Sequence, residues 1–249
     1  MRIGCCGGAD SVQLYSNLGF DYIEPSVISV IEDENYDLLL KKVEKFSLKA
    51  EVFNCFMPSS LPIVGPNVDY QAIDKYLTHI FPRIRGVGGE IVVFGSGKAR
   101  KIPQDFCRKD AGKQILIFLE MAMEKADDKI QIVIEPLNKN QTNFLNFVAE
   151  TRELCEKLDW RVGLLADLFH MVLEKEPLEK LMPVFQLGHI HIPMPEAAFP
   201  VINFLQILKS GGYQNRISLE DNGGLLGRIP LGKQYEVFLE TLAYIKSLI

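Results

Sequence analysis

Short apolar runs alternate with longer amphipathic stretches along the whole chain. Runs at 2–6, 22–27, 50–56, 90–95, 131–135, 162–167, 188–192 and 216–220 are rich in β-branched and aromatic residues and predict strands. Between them, helical patterns fall near 9–18, 34–47, 69–81, 109–126, 143–158, 173–182, 199–209 and 233–248. The last repeats Tyr235, Phe238, Leu239, Leu242 and Ile245 at helical spacing. Thr142 and Asn143 offer caps for the 143–158 segment, and Asp159 follows its end. Each strand and helix pair takes about thirty residues, the length of a βαβ unit. Eight such pairs in 249 residues predict an α/β protein, a single (β/α)8 TIM barrel spanning 1–249. A doubly wound open sheet is the alternative, but Gly7-Gly8 is too short for its glycine-rich first turn.

Several predicted strands end in acidic or imidazole side chains. The run Gln131-Ile132-Val133-Ile134 delivers Glu135 into Pro136, and Pro136 stops further pairing. Asp167 closes the sixth strand, His189 and His191 lie on the seventh, and Glu220 closes the eighth. Side chains in a barrel strand alternate between lumen and helices. If Glu135 faces inward, Ile132 and Ile134 face the helices. The same parity turns Asp167, both histidines and Glu220 inward, with Leu164, Ala166, Ile190, Ile192, Ile217 and Leu219 outward. Three carboxylates and an imidazole on one rim repel and take up protons unless a cation joins them, so one divalent metal ion is the economical expectation. Oxygen-rich ligation with one nitrogen favours Mn²⁺ or Mg²⁺, then Co²⁺, whereas Zn²⁺ usually takes more His or Cys. His189, one pleat below His191, reads as a hydrogen-bonded supporting histidine.

Composition narrows the partners. An apolar fraction of 47% against 24% charged suits a sizeable core. A net charge of −5 gives no footprint for a nucleic-acid backbone, so no nucleic-acid partner is expected. The five cysteines, at 5, 6, 55, 107 and 155, have no CxxC spacing and an odd count, which points to reduced thiols and a cytoplasmic location. No secretory signal and no membrane span are expected, because no apolar run reaches eighteen residues.

The segments Ile134-Glu135-Pro136-Leu137-Asn138, Asp167-Leu168-Phe169-His170, Gly188-His189-Ile190-His191-Ile192 and Ser218-Leu219-Glu220 resemble, in order and spacing, the xylose isomerase-like barrel family. Phe94-Gly95-Ser96-Gly97 with Arg100 is similar to that family's loop after strand four. The family groups sugar and sugar-phosphate isomerases and epimerases with endonuclease IV. The resemblance implies Glu135, Asp167, His191 and Glu220 as metal ligands, His170 on a substrate hydroxyl, and barrels that often pair as homo-oligomers. It also implies the reaction. A hydroxy-ketone of a small sugar, sugar phosphate or related polyol loses a carbon-bound proton to one of Glu135 and Glu220 through a metal-stabilised enediolate, and the other returns a proton.

Two departures limit the likeness. The family's ketose 3-epimerases carry a second glutamate six residues after the first and an arginine six residues after the ligand histidine; here those positions are Gln141 and Ala197. Gln141 cannot act as a base, though it can bind a substrate hydroxyl. These departures leave a dehydratase or a sugar-binding member as alternatives. Endonuclease IV-like phosphodiester cleavage is a further one, and it needs more than four histidines. Arg100 reads as a substrate-anion contact or as part of a basic turn. Glu24, at the end of the second strand, reads as a pocket residue or the partner of a neighbouring cation.

Overall fold

The computed structural model describes residues 1–194, 199–221 and 231–249. Its eight parallel strands are β1 (Arg2–Cys6), β2 (Tyr22–Glu24), β3 (Val52–Phe53), β4 (Ile91–Phe94), β5 (Gln131–Ile134), β6 (Val162–Asp167), β7 (Leu187–Pro193) and β8 (Arg216–Glu220). They pair in the order β2-β1-β8-β7-β6-β5-β4-β3. Isolated bridges Ile23–Ala50 and Ser26–Asn54 join the two outermost strands, so the sheet is a nearly closed barrel. The helices are α1 (Val12–Leu18), α2 (Asp33–Phe46), α3 (Tyr70–Gly86), α4 (Arg108–Ala126), α5 (Val148–Cys155), α6 (Leu168–Leu173), α7 (Val201–Ser210) and α8 (Leu231–Leu248). No helix among the described residues is long and apolar enough to cross a membrane.

The expected parity holds. Ile132, Ile134, Leu164, Ala166, Ile190, Ile192, Ile217 and Leu219 belong to the large core between sheet and helices. Tyr22, Val52, Ile91, Val93, Val133 and Leu165 form a separate cluster filling the lumen. Between those layers β6 and β7 slip by one residue: Leu164 pairs with Leu187 but Leu165 pairs with His189, so Gly188 is skipped. The slip keeps His189 facing the lumen beside Leu165 and restores the register that sets Asp167 opposite His191. At the amino-terminal end of the barrel, buried Glu51 accepts from Arg2 Nη1 and Arg216 Nε, each at 2.7 Å. This ties β1 and β8 to the start of β3.

Three expectations are corrected. The sixth helix runs over Leu168–Leu173, not 173–182. Asp167 starts it by accepting from Phe169 N at 2.7 Å. Pro177 and Pro183 then confine the following chain to short 3-10 turns at Leu178–Leu181 and Val184–Gln186. The fifth helix begins at Val148 rather than at 143. Asn143 bonds the Ile102 main chain on both N and O, while Glu176 accepts from Val148 N and Ala149 N and takes the capping role. The second and third strands are shorter than predicted, because Pro25 ends β2 and the chain beyond Phe53 turns toward the barrel mouth.

Four phenylalanines anchor this side of the barrel. Phe118 of α4 lies 5.5 Å from Phe56 and 5.0 Å from Phe94, centroid to centroid, and all three are fully buried. Phe81 closes the group at 5.7 Å from Phe56. Truncating Phe118 to alanine leaves a cavity that rigid sheet and helix cannot close, so Phe118→Ala is expected to cost about 3–5 kcal/mol in urea unfolding. A loss below about 1 kcal/mol would mean that α4 repacks freely.

Candidate metal centre

The carboxyl-terminal strand ends converge on one point. Ligand atoms from Glu135, Asp167, His191 and Glu220 all lie within 4.8 Å of one another. Register places them there: Asp167 pairs with His191 across β6 and β7, and Glu220 pairs with Pro193 just above His191. Glu135 leaves β5 where Phe94 O accepts its main-chain N–H at 3.2 Å. Its carboxylate fills the space a side chain at position 95 would need, since a Cβ on Gly95 would fall 2.2 Å from Glu135 Oε2. Glycine after β4 is therefore required by the glutamate after β5.

His191 is held from behind. Its Nε2 donates to Glu24 Oε1 at 2.8 Å, and His189 Nε2 donates to Glu24 Oε2 at 3.0 Å. Glu24 is fully buried with one oxygen on each ring, so both imidazoles carry a proton on Nε2. His191 Nδ1 is thereby the atom turned to the carboxylates, 3.1 Å from Glu220 Oε2 and 3.4 Å from Glu135 Oε1.

Charge at this rim is unbalanced without a cation. Burial, then Glu220 and Glu135, push the Asp167 carboxyl well above its usual range. Burial disfavours charge on His191, but Glu24, Glu135 and Glu220 outweigh it and raise the imidazole well above its usual value. Burial likewise opposes charge on Glu135, yet His191, His170 and Arg100 hold that carboxyl below the ordinary range. For Glu24 burial again acts against the two histidines, which prevail and hold it low. Without a cation, protonation is thus favoured at Asp167 and at His191. A divalent ion would compete with protons for these ligands, and three carboxylates with one imidazole suit Mn²⁺, Mg²⁺, Co²⁺ or Zn²⁺. By this charge argument and by the convergence of three carboxylates on His191 Nδ1, the residues fit a metal.

A cavity of about 250 Å³ opens above the cluster. Asn54, Cys55 and Met57 after β3, residues 95–99 after β4, and Leu137 and Gln141 after β5 form its wall; Glu135, His170, His191 and Glu220 form its floor. His170 Nδ1 lies 2.9 Å from Asn138 Nδ2 and 3.4 Å from Asn138 N. Both are donors, so the imidazole proton sits on Nε2. Burial lowers the His170 pKa and keeps the ring neutral, with an N–H to offer. Asn138 had no role in the sequence reading. Its place three residues after Glu135 in the same proline turn was the signal.

Two expected substrate residues lie elsewhere. Arg100 is completely buried. Its Nη1 donates to Phe94 O at 3.0 Å and its Nη2 to Glu135 O at 2.8 Å and Leu145 O at 3.3 Å, so it cannot also meet a substrate anion. It clamps the ends of β4 and β5 and sets a buried charge beneath Glu135; burial lowers its pKa to about 10, leaving it protonated at neutral pH. Glu24 is likewise behind the site rather than in the cavity, because both its oxygens are taken by histidines. Gln141 is exposed at the mouth. Ala197 lies outside the described residues.

Two outcomes are expected. Replacing Glu24 by glutamine puts an N–H₂ against one histidine and frees that ring from its tautomer, so Glu24→Gln is expected to weaken Mn²⁺ binding roughly 10–100-fold in isothermal titration calorimetry. Unchanged affinity would show that the carboxylate does not orient His191. The raised pKa values of Asp167 and His191 mean that protons compete with the ion. Apparent affinity for Mn²⁺ is thus expected to climb with pH by about tenfold per unit for each proton released, and to fall on acidification. A pH-independent affinity would contradict competition between protons and the ion at Asp167 and His191.

Comparison with known proteins agrees with this architecture. A model of the xylose isomerase-like TIM barrel family matches residues 12–247. No curated protein sequence matches the chain. Among solved structures, D-psicose 3-epimerase from Clostridium cellulolyticum H10 with D-tagatose superposes with a TM-score of 0.80 at 13% identity, covering 100% of this chain and 99% of that one. AP endonuclease, family 2, from Brucella melitensis gives 0.77 at 16% identity over 98% of each chain. The IOLI protein with a binding zinc atom gives 0.74 at 15% identity, covering 100% of this chain and 99% of that one. At such identities these likenesses speak to fold, and the family match decides membership: the chain belongs to the xylose isomerase-like TIM barrel family.

Proposed function

We propose that the protein is a divalent-metal-dependent isomerase or epimerase of a small sugar, sugar phosphate or related polyol, working by proton transfer at the carbon beside a carbonyl. The observation that carries this reading is a pair of carboxylates, Glu135 and Glu220, 3.4 and 3.1 Å from His191 Nδ1 at the floor of a cavity. The epimerase among the structural relatives and the zinc reported for the IOLI protein point the same way.

Glu135, Asp167, His191 Nδ1 and Glu220 would hold the ion, with Mn²⁺ the preferred occupant. Once bound, the ion supplies Lewis acidity that makes a carbon-bound proton next to a carbonyl removable at neutral pH. Glu135 is nearly buried, with its side chain 9% exposed, whereas that of Glu220 is 27% exposed. The two carboxylates thus differ in environment, as a proton acceptor and a proton donor acting in turn require. Return of the proton to the opposite face of the same carbon is epimerisation, and return to the neighbouring carbon is isomerisation. Neutral His170 presents Nε2–H toward the floor, 3.8 Å from Glu135 Oε1 and 3.6 Å from Asp167 Oδ2, where it can donate to a substrate hydroxyl. Gln141 at the mouth can bind a distal hydroxyl but can take no proton. The leading role therefore falls to Glu135 and Glu220 rather than to a glutamate at position 141.

Phosphodiester cleavage is less well supported. His170, His189 and His191 are engaged as described, and His79 lies on α3 with Nε2 2.8 Å from Ile31 O. Beyond His191, His170 alone lines the cavity, too few histidines for a cluster of several metals, and Lys98 is the one Lys or Arg among the described residues lining it. The five cysteines are free, which suits a reducing compartment, and we place the protein in the cytoplasm.

The test is solvent deuterium exchange. With Mn²⁺ present, a panel of ketoses, inositol-like ketones and their phosphates in D₂O is expected to include at least one compound that gains deuterium at the carbon beside its carbonyl. Glu135→Gln and Glu220→Gln are each expected to slow that exchange by about 10²–10⁴-fold. A folded, metal-loaded protein that exchanges no member of the panel, or glutamine variants that exchange as fast as the parent, would sink the proposal.

A further inference from the structure

The other end of the barrel carries a second constructed cavity. Two adjoining hollows, of about 260 and 300 Å³, share Gln131, Trp160, Gly188 and Asn215 in their walls. Each approaches or reaches the lower end of the size range of small-molecule pockets. Gln131 opens β5, Gly188 is the second residue of β7 and Asn215 immediately precedes β8, so this cleft lies at the amino-terminal strand ends, away from the metal centre.

Its walls are unusual in composition. Phe185 is 82% exposed and Trp160 is 74% exposed, the two most exposed large apolar side chains among the described residues, and both line the larger hollow. Aromatic rings left in water beside the same cavity supply flat apolar surface for a flat ligand. The floor is an amide. A Cβ on Gly163 would fall 2.9 Å from Gln131 Nε2, and one on Gly188 would fall 2.9 Å from Gln131 Oε1. Two adjacent strands thus carry glycine where the Gln131 amide lies, and that amide makes no hydrogen bond among the described residues. It offers one donor and one acceptor edge side by side. Two other lining side chains hold polar atoms without partners, Nε of Arg152 and Oε1 of Gln186.

The nearby guanidinium groups are already engaged through terminal nitrogens. Arg161 pairs with Asp159 at 2.9 Å and Asp128 at 3.6 Å. Arg216 holds Glu51 and Glu90, and Arg152 donates to the carbonyls of Met182 and Leu181. The cleft therefore offers stacking surface and amide edges rather than an open guanidinium.

We propose that this cleft is a second binding site, for a small uncharged planar ring with adjacent hydrogen-bond donor and acceptor, the class of nucleobases and nicotinamide. The ring lies against Trp160 and Phe185 and pairs its edge with the Gln131 amide. The inference is independent of the reaction assigned to the metal centre.

Trp160 is the sole tryptophan of the chain, so its fluorescence reports on the cleft alone. Full-length protein is titrated with adenine, nicotinamide, adenosine and AMP. The expected result is a saturable change in emission with at least one ring compound, weakened at least fivefold in Phe185→Ala, whose exposed side chain can be removed without touching the core, and in Gln131→Leu. Adenosine and AMP are expected to bind within about threefold of each other. Quenching that stays linear with concentration and is equal in Phe185→Ala overturns the proposal. So does AMP binding more than tenfold tighter than adenosine, which would make a phosphate and Lys129, in the wall of the smaller hollow, the recognised pair. An emission shift that follows protein concentration rather than ligand also overturns it, because a second copy of the chain would then be the occupant.

Discussion

The architecture depends on keeping like charges together in a place water hardly reaches. Glu24, Glu135, Asp167 and both β7 histidines are at least nine-tenths buried, and Glu220 stands beside them. Such a group is unstable as a set of bare anions, and isolated buried charges are among the most costly features a fold can carry. Each is therefore met by something specific. Glu24 meets two imidazole N–H groups, and Glu135 has the Arg100 charge below it. Burial and its acidic neighbours shift Asp167 toward its protonated form, and it caps a helix. What remains is excess negative charge, which favours protons on Asp167 and His191 and would favour a divalent cation in the same way.

The surrounding elements make sense as supports for that cluster. The slip between β6 and β7 skips Gly188 and brings His191 level with Asp167. Phe94 stacks against the Arg100 guanidinium, 5.5 Å from its ring centroid, while Arg100 fastens the ends of β4 and β5. Glu174 accepts from Lys139 N at 2.7 Å and so ties the turn carrying Asn138 to the end of α6, the helix that carries His170. Geometry at the cavity end is thus set in part by residues that do not line the cavity, as in barrels whose sites are built from strand ends and loops.

Much of this was legible in the chain. Strand periodicity is strict, so the inward set Glu135, Asp167, His191 and Glu220 followed from the outward isoleucines and leucines once one residue was assigned. His189 was readable as a support for the same reason. Long side chains were not readable. Nothing local says that Arg100 turns back under the sheet to three carbonyls instead of reaching solvent, or that Glu24 crosses the lumen to β7. The sixth helix was misplaced because an acidic residue judged only as a ligand also caps a helix, and propensity over 173–182 lost to that cap and to two prolines. Asn143, which looked like a cap, is used instead to hold the Ile102 main chain.

The central claim is that these four strand ends form one divalent-metal site served by His191 Nδ1. Anomalous diffraction from crystals grown with Mn²⁺ addresses it most directly. The account predicts a single strong peak bounded by Glu135, Asp167, His191 Nδ1 and Glu220, with Glu24 still bridging the two histidines on their Nε2 side. A peak on the Nε2 side, between Cys6, Glu24 and His191, or density showing the four residues with no ion at saturating Mn²⁺, would contradict it.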